Sequence, residues 1–152
     1  HRLMVRQYEY LFGLDGALDS QEEAALARVR VMADNVDALS QGRTFKTADL
    51  FGIPASYWLD LSQYDTVQEM ATLNAPLLML QGEGDYQVPP DEFERFRAAH
   101  SDRSDVTFIS YPGLSHLFTK AGDPPSPDDY AKDSTFDSKA LDDIAEWIAS
   151  LN

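Results

Sequence analysis

The chain has 152 residues, 43% of them hydrophobic, no Cys, and a formal net charge of −14 from 26 Asp and Glu against 12 Lys and Arg. That length and apolar share suit one domain with a real core, and no stretch approaches the ~18 consecutive apolar residues of a membrane helix. The charge disfavours nucleic acid and anionic membrane as partners through like-charge repulsion, and the missing Cys excludes a disulfide, a zinc-thiolate site or a cysteine nucleophile within these residues.

The region from His1 to about Asn74 reads as helical, with no strand. Residues 2–12 mix Leu3, Met4, Val5, Tyr8, Leu11 and Phe12 in helical spacing and stop at Gly13. Ser20-Gln21-Glu22-Glu23 has the spacing of a capping box, with Ser20 as the cap and Glu23 returning the bond. The helix that follows carries Ala25, Leu26, Val29, Met32, Val36 and Leu39 at three- and four-residue intervals and ends near 40–42. Tyr57-Trp58-Leu59 reads as a short helical turn, and Asp65 as the cap of a helix over 66–73.

From Ala75 the character changes. Pro76-Leu77-Leu78-Met79-Leu80 is a continuous apolar run, the pattern of a parallel strand covered on both faces. Gly82, Gly84 and Pro89-Pro90 break it. Residues 90–100 read as a helix with Phe93, Phe96 and Ala99 inward, and Val106–Tyr111 as a second strand. Strand, helix, strand in that order is a βαβ unit with a parallel sheet. Residues 122–137, rich in Asp, Pro and Ser, read as a surface loop. Leu141, Ile144, Ala145, Trp147 and Ile148 mark a closing amphipathic helix with Ser138 as its cap. Two strands do not make a stable sheet by themselves, so the pattern reads as part of something larger.

Asp85 stands in the turn after the first strand, in Gln81-Gly82-Glu83-Gly84-Asp85-Tyr86-Gln87-Val88-Pro89. His116 stands in the loop after the second, in Tyr111-Pro112-Gly113-Leu114-Ser115-His116. Parallel strands bring both loops to one edge of the sheet, where open α/β sheets place their ligands. An acid that orients a histidine and balances its charge is half of a hydrolytic triad.

These two segments resemble the acid-bearing turn and the histidine loop of α/β-hydrolases. The likeness is finest to the esterase and dienelactone-hydrolase-like branch with a helical cap, through Tyr57-Trp58-Leu59-Asp60-Leu61, Tyr64-Asp65 and the Pro76 strand. It covers about Tyr8 to Trp147. The acid precedes the histidine, which is that family's chain order. The resemblance implies a partial α/β-hydrolase fold: a helical cap over 1–74, then the last two parallel strands and their helices over 75–152. It implies Asp85 and His116 as catalytic residues acting on a carboxylic ester, with no metal and no cofactor.

One departure is decisive. Gly-x-Ser-x-Gly, the family's nucleophile elbow, is absent. Gly113-Leu114-Ser115-His116-Leu117 lacks the closing Gly, and Ser115 sits next to the proposed base and follows the acid, so it is a poor candidate for the nucleophile. The nucleophile and oxyanion hole are expected in a missing N-terminal half, and the chain alone is expected to be inert. His1-Arg2-Leu3-Met4-Val5 has neither an initiator Met nor a signal-peptide layout, which fits a cut end better than a native beginning.

Other readings compete. Asp85 could be an ordinary turn residue, and His116 a partly buried loop histidine. Tyr57, Trp58 and Tyr86 are the candidate substrate-binding residues, although Tyr8, Tyr10, Phe12, Tyr57 and Trp58 could instead form the core of the cap. Asp128, Asp129 and Glu83 read as solvated charge, and His100 as a helix-ending residue. The chain could be a non-catalytic binding module, or a self-associating one. The first strand has lost its upstream neighbour, and such an open edge invites a dimer or swapped assembly. The compartment stays open, with the cytoplasm the first expectation. Asp outnumbers Glu and Arg outnumbers Lys, so a halophilic source is a hypothesis, and it requires the melting temperature to rise between low and molar KCl.

Overall fold

The computed structural model describes residues 1–151. The fold is α/β, and the chain divides into two compact units, His1–Glu69 and Met70 onwards. No helix among the described residues is long and apolar enough to cross a membrane.

The first unit is helical. Helix α1 spans Arg2–Phe12, α2 spans Ser20–Leu39 and α3 spans Ala55–Leu61, with a 3-10 turn at Thr47–Asp49. Val5 of α1 packs on Val29 and the fully buried Ala33 of α2, with Phe51 alongside. The small Ala33 side chain lets the two helices approach closely. A second cluster joins Val36, Leu39, Leu50 and Trp58. Trp58 is 6% exposed, and its buried indole N–H is satisfied by the Leu50 carbonyl at 3.2 Å. An indole tolerates burial when its one donor is so used.

The cap of α2 lies one residue earlier than the sequence pattern suggests. Asp19 Oδ1 accepts from the backbone N–H of Gln21 and Glu22 at 2.7 and 2.8 Å, and Glu22 returns the bond to the Asp19 N–H at 3.0 Å. A carboxylate beside the positive helix end gains from the dipole as well as the hydrogen bonds. The last helix repeats the displacement: Asp137, not Ser138, caps it, accepting from Ala140 N–H at 3.0 Å. Asp65 caps α4, Thr66–Thr72, by accepting from Val67 and Gln68.

The second unit holds β1 (Leu77–Gly82), α5 (Pro90–Ala99), β2 (Val106–Tyr111) and α6 (Ser138–Ala149). The strands pair in parallel, from Leu77 opposite Val106 to Gly82 opposite Tyr111. Pro76, which has no N–H to give the ladder, stays outside, and the strand runs on to Gly82. Arg103 holds the approach to β1: it donates to the carbonyls of Met70 and Leu73 at 2.7 and 3.0 Å while pairing with Asp105. Phe93 of α5 meets Phe108 of β2 edge to face.

Three expectations are corrected here. The apolar β1 residues Leu77–Leu80 are half-buried rather than covered on both faces, because among the described residues only one strand flanks them. On α6, Leu141 and Ile148 are 52% and 53% exposed, so its apolar face is incompletely covered. The 122–137 segment is not a plain surface loop: it contains a 3-10 turn, Pro127–Ala131, built on a buried Asp129.

Candidate active site

Because β1 and β2 run in parallel, the turn after Gly82 and the loop after Tyr111 leave the sheet at the same end. The acid turn is closed by its own carboxylate. Asp85 Oδ1 accepts from the backbone N–H of Gln87 at 2.8 Å and of Val88 at 2.9 Å. That leaves Oδ2 to meet His116 Nδ1 at 2.7 Å. The Asp85 side chain is only 5% exposed and that of His116 is 41% exposed. A buried acid thus grips one ring nitrogen of a histidine whose other edge is open. With Nδ1 engaged, Nε2 is the nitrogen able to exchange a proton with a reacting group.

The histidine loop is a tight hairpin. Ser115 N–H donates to the Thr119 carbonyl at 2.8 Å and Phe118 N–H to the Ser115 carbonyl at 3.0 Å, which puts His116 in the turn. Leu114 and Lys120 form an antiparallel bridge below it. The two loops are joined directly, since Gly84 N–H donates to the Leu114 carbonyl at 2.8 Å. This approach depends on glycine. A Cβ at Gly82 would lie 2.4 Å from the Ser115 carbonyl oxygen and 2.5 Å from that of Leu114, and one at Gly84 would lie 2.6 Å from the Ala121 methyl. The sequence pattern marks both glycines as strand breakers; their role in admitting the second loop shows only in three dimensions.

Ser115 is 2% exposed, its hydroxyl paired with that of Thr119 at 3.0 Å. It is a strut of the hairpin rather than a nucleophile. Glu83 is exposed and accepts from the Ser110 hydroxyl at 2.8 Å. His100 closes α5, as expected, and is buried at 5% exposure.

Tyr86, next to Asp85 in the chain, does not wall the cavity at the acid–histidine pair and stacks on Tyr130 at 6.1 Å between ring centroids. Burial, with the Tyr130 phenol beside it, pushes the Tyr86 hydroxyl up to about 12. Gln87 Nε2 donates to the Tyr130 hydroxyl at 2.9 Å. Tyr130 is carried by the 3-10 turn, and that turn is anchored by Asp129, 3% exposed. Asp129 Oδ2 accepts from the N–H groups of Gly122 and Ser126 at 2.7 and 3.0 Å, and Oδ1 pairs with Lys132 at 2.8 Å. Asp129 is therefore no solvated charge. Its signal was in the sequence: Ser126 to Asp129 has the S-x-x-D spacing of a capping box.

Lys132 and the two backbone donors hold the Asp129 carboxyl well below its ordinary 3.8, at about 2. A depressed carboxyl stabilises the fold above the unfolded value and ceases to do so as pH falls through the folded one. Asp129→Asn, which turns an amide NH2 or loses an acceptor against these donors, is expected to cost on the order of 1–2 kcal/mol at neutral pH. Melting curves should show the gap to wild type closing between pH 3.8 and about 2.

Tyr57 and Trp58 belong to the first unit: Tyr57 is 54% exposed and Trp58 is core. That unit has its own cavity of about 360 Å³, beside His1, Asp37 and Trp58. His1 Nε2 meets Asp37 there at 2.6 Å, but Asp37 is shared with Arg2, which makes an ion-pair cluster. The smaller cavity beside Asp85 and His116, about 200 Å³, is walled by Leu80, Gly82, Val88 and Phe118 and holds the acid–histidine pair. Among the described residues no group of three or more His, Asp or Glu side chains is gathered as a metal ion would need.

Residues 42–151 match the dienelactone hydrolase family. The chain belongs to that family. It is 30% identical over 99 residues to Esterase EstD of Thermotoga maritima, a match covering 65% of this chain and 24% of that protein. It is 41% identical over 56 residues to a putative carboxymethylenebutenolidase of Azospirillum brasilense, over 37% of this chain and 24% of that protein. The chain thus matches about a quarter of the length of these curated relatives. No solved structure matches it. The family match takes in both Asp85 and His116.

Proposed function

We propose that this chain supplies the acid and the base of a serine ester hydrolase whose nucleophile lies outside these 152 residues. The 2.7 Å contact between His116 Nδ1 and the buried Asp85 carries the reading. In the reaction, Nε2 of His116 takes the proton of a serine hydroxyl as that oxygen attacks the ester carbonyl. The imidazolium then gives its proton to the leaving alcohol, and the same cycle with water frees the acid. Asp85 fixes the tautomer and balances the imidazolium charge. An ester is preferred to a peptide because one relative is named an esterase and the other a putative carboxymethylenebutenolidase. Residues 1–74 are a helical cap in this reading, with Tyr86 the candidate substrate contact in the second unit, whereas Trp58 is core of its own unit.

The half-buried β1 and the exposed Leu141 and Ile148 support a sheet that continues in a further part of the protein. They also support self-association, the second reading, in which light scattering gives a dimer and no esterase activity is ever assembled. The deciding assay is hydrolysis of p-nitrophenyl acetate and butyrate by the chain alone and mixed with a segment bearing Gly-x-Ser-x-Gly. Silence alone and turnover on mixing is the expected result. Turnover by the chain alone that disappears in His116→Ala would place the nucleophile inside it.

A further inference from the structure

We propose that Tyr130 is a positioning residue for the acid–histidine pair, a peg that keeps the Asp85 turn in the geometry His116 requires. The inference rests on the reading of Asp85 and His116 as acid and base. Asp85 is oriented by two backbone donors, Gln87 and Val88, on a single carboxylate oxygen. Both donors stand in a short turn that the Asp85 side chain itself closes, so carboxylate and turn must hold each other. Tyr130 braces this arrangement from outside at two points. Its ring stacks on Tyr86, and its hydroxyl accepts from the side chain of Gln87, the residue whose N–H orients Asp85. The Gln87 contact spans 43 residues of sequence, so it is tertiary and not part of the local turn.

The peg is itself fixed. Its neighbour Asp129 is buried and spends both oxygens, on Gly122, Ser126 and Lys132. The 3-10 turn cannot slide without breaking a charge-assisted bond, and such bonds are the stronger ones. A continuous chain of contacts therefore runs from Lys132 and Asp129 through Tyr130 and Gln87 to Asp85 and His116. Loss of the peg frees residues 86–88, and the carboxylate then samples orientations in which Oδ2 does not reach Nδ1.

The readout is the hydrogen-bonded Nδ1–H proton of His116, followed in the ¹⁵N-histidine spectrum of the full chain. Only three histidines are present, and His116→Gln assigns the signal. In wild type the signal is expected to be protected from solvent exchange and to vanish in Asp85→Asn. Its absence in wild type, or its survival in Asp85→Asn, would sink the acid–base reading and the peg with it. With the pair established, Tyr130→Ala should lose the protected signal while the amide signals of β1 and β2 persist. Tyr130→Phe, which keeps the stack but drops the hydroxyl, should keep the signal with several-fold faster exchange. A merely structural Tyr130 would lower the melting temperature and leave exchange in the native state untouched. Wild-type exchange in Tyr130→Phe overturns the proposal, and does so even where Tyr130→Ala fails to fold.

Discussion

Asp85→Asn, made in a protein that also carries the nucleophile, is expected to lower kcat for p-nitrophenyl esters about 10⁴-fold with KM little changed. The size follows from the hydrogen bonds. The amide oxygen of Asn takes the place of Oδ1, since the N–H groups of Gln87 and Val88 need an acceptor there. The NH2 group then faces His116 in the place of Oδ2. An NH2 can only donate, so Nδ1 must become the acceptor and the ring hydrogen moves to Nε2. That tautomer has no lone pair on the nitrogen that should take the serine proton. The fold loses little, because the turn keeps its acceptor, and the melting temperature should move by a few degrees at most. His116→Ala should cost a comparable factor. The double variant should be hardly worse than either single one, because residues acting as a unit are not additive. A loss of less than tenfold in Asp85→Asn would remove Asp85 from the machinery.

Asp85 and His116 were legible because each stands in the loop after a run of strand-forming residues, and the βαβ order sends both loops to one edge. The helices were legible from periodicity: Leu26, Val29, Val36 and Leu39 are all buried in α2. Ends were less so. Asp19 and Asp137 outcompete the neighbouring Ser20 and Ser138 as caps, and a local pattern containing both residue types does not rank them. Asp129 was hidden by composition. Asp among Pro and Ser reads as solvated charge, although its partners Gly122, Ser126 and Lys132 all lie within seven residues and the Ser126-x-x-Asp129 spacing marks them. Tyr130 was illegible for a different reason, as nothing local links it to Gln87. The half-buried β1 shows the opposite limit. The sequence pattern describes a strand meant for cover on both faces, and two strands with their helices cannot supply it.

Gly82→Ala is expected to uncouple the acid from the histidine without touching either. The added methyl would fall 2.4 and 2.5 Å from the carbonyl oxygens of Ser115 and Leu114 and 2.9 Å from the Leu114 carbonyl carbon. These are backbone atoms, so no side chain can swing aside. One loop must back away by on the order of 1 Å to restore ordinary contact, with a strain of about 1–3 kcal/mol. The bond from Gly84 N–H to the Leu114 carbonyl, 2.8 Å, lies beside the clash and stretches with it. So does the 2.7 Å contact between Asp85 and His116, and at about 3.6 Å a polar contact is no longer a hydrogen bond. A displacement of that size at a catalytic pair costs roughly 10²-fold in rate. Ester turnover in the nucleophile-bearing protein and a thermal melt of the same variant together check both effects. Leu117→Ala is the matched control: Leu117 sits next to His116 but is 52% exposed, so its loss should leave turnover and melting near wild type. If Gly82→Ala keeps full turnover, the close approach of the two loops is not what holds the pair. The burden would then shift to the Asp85 turn and to the Tyr130 peg behind it.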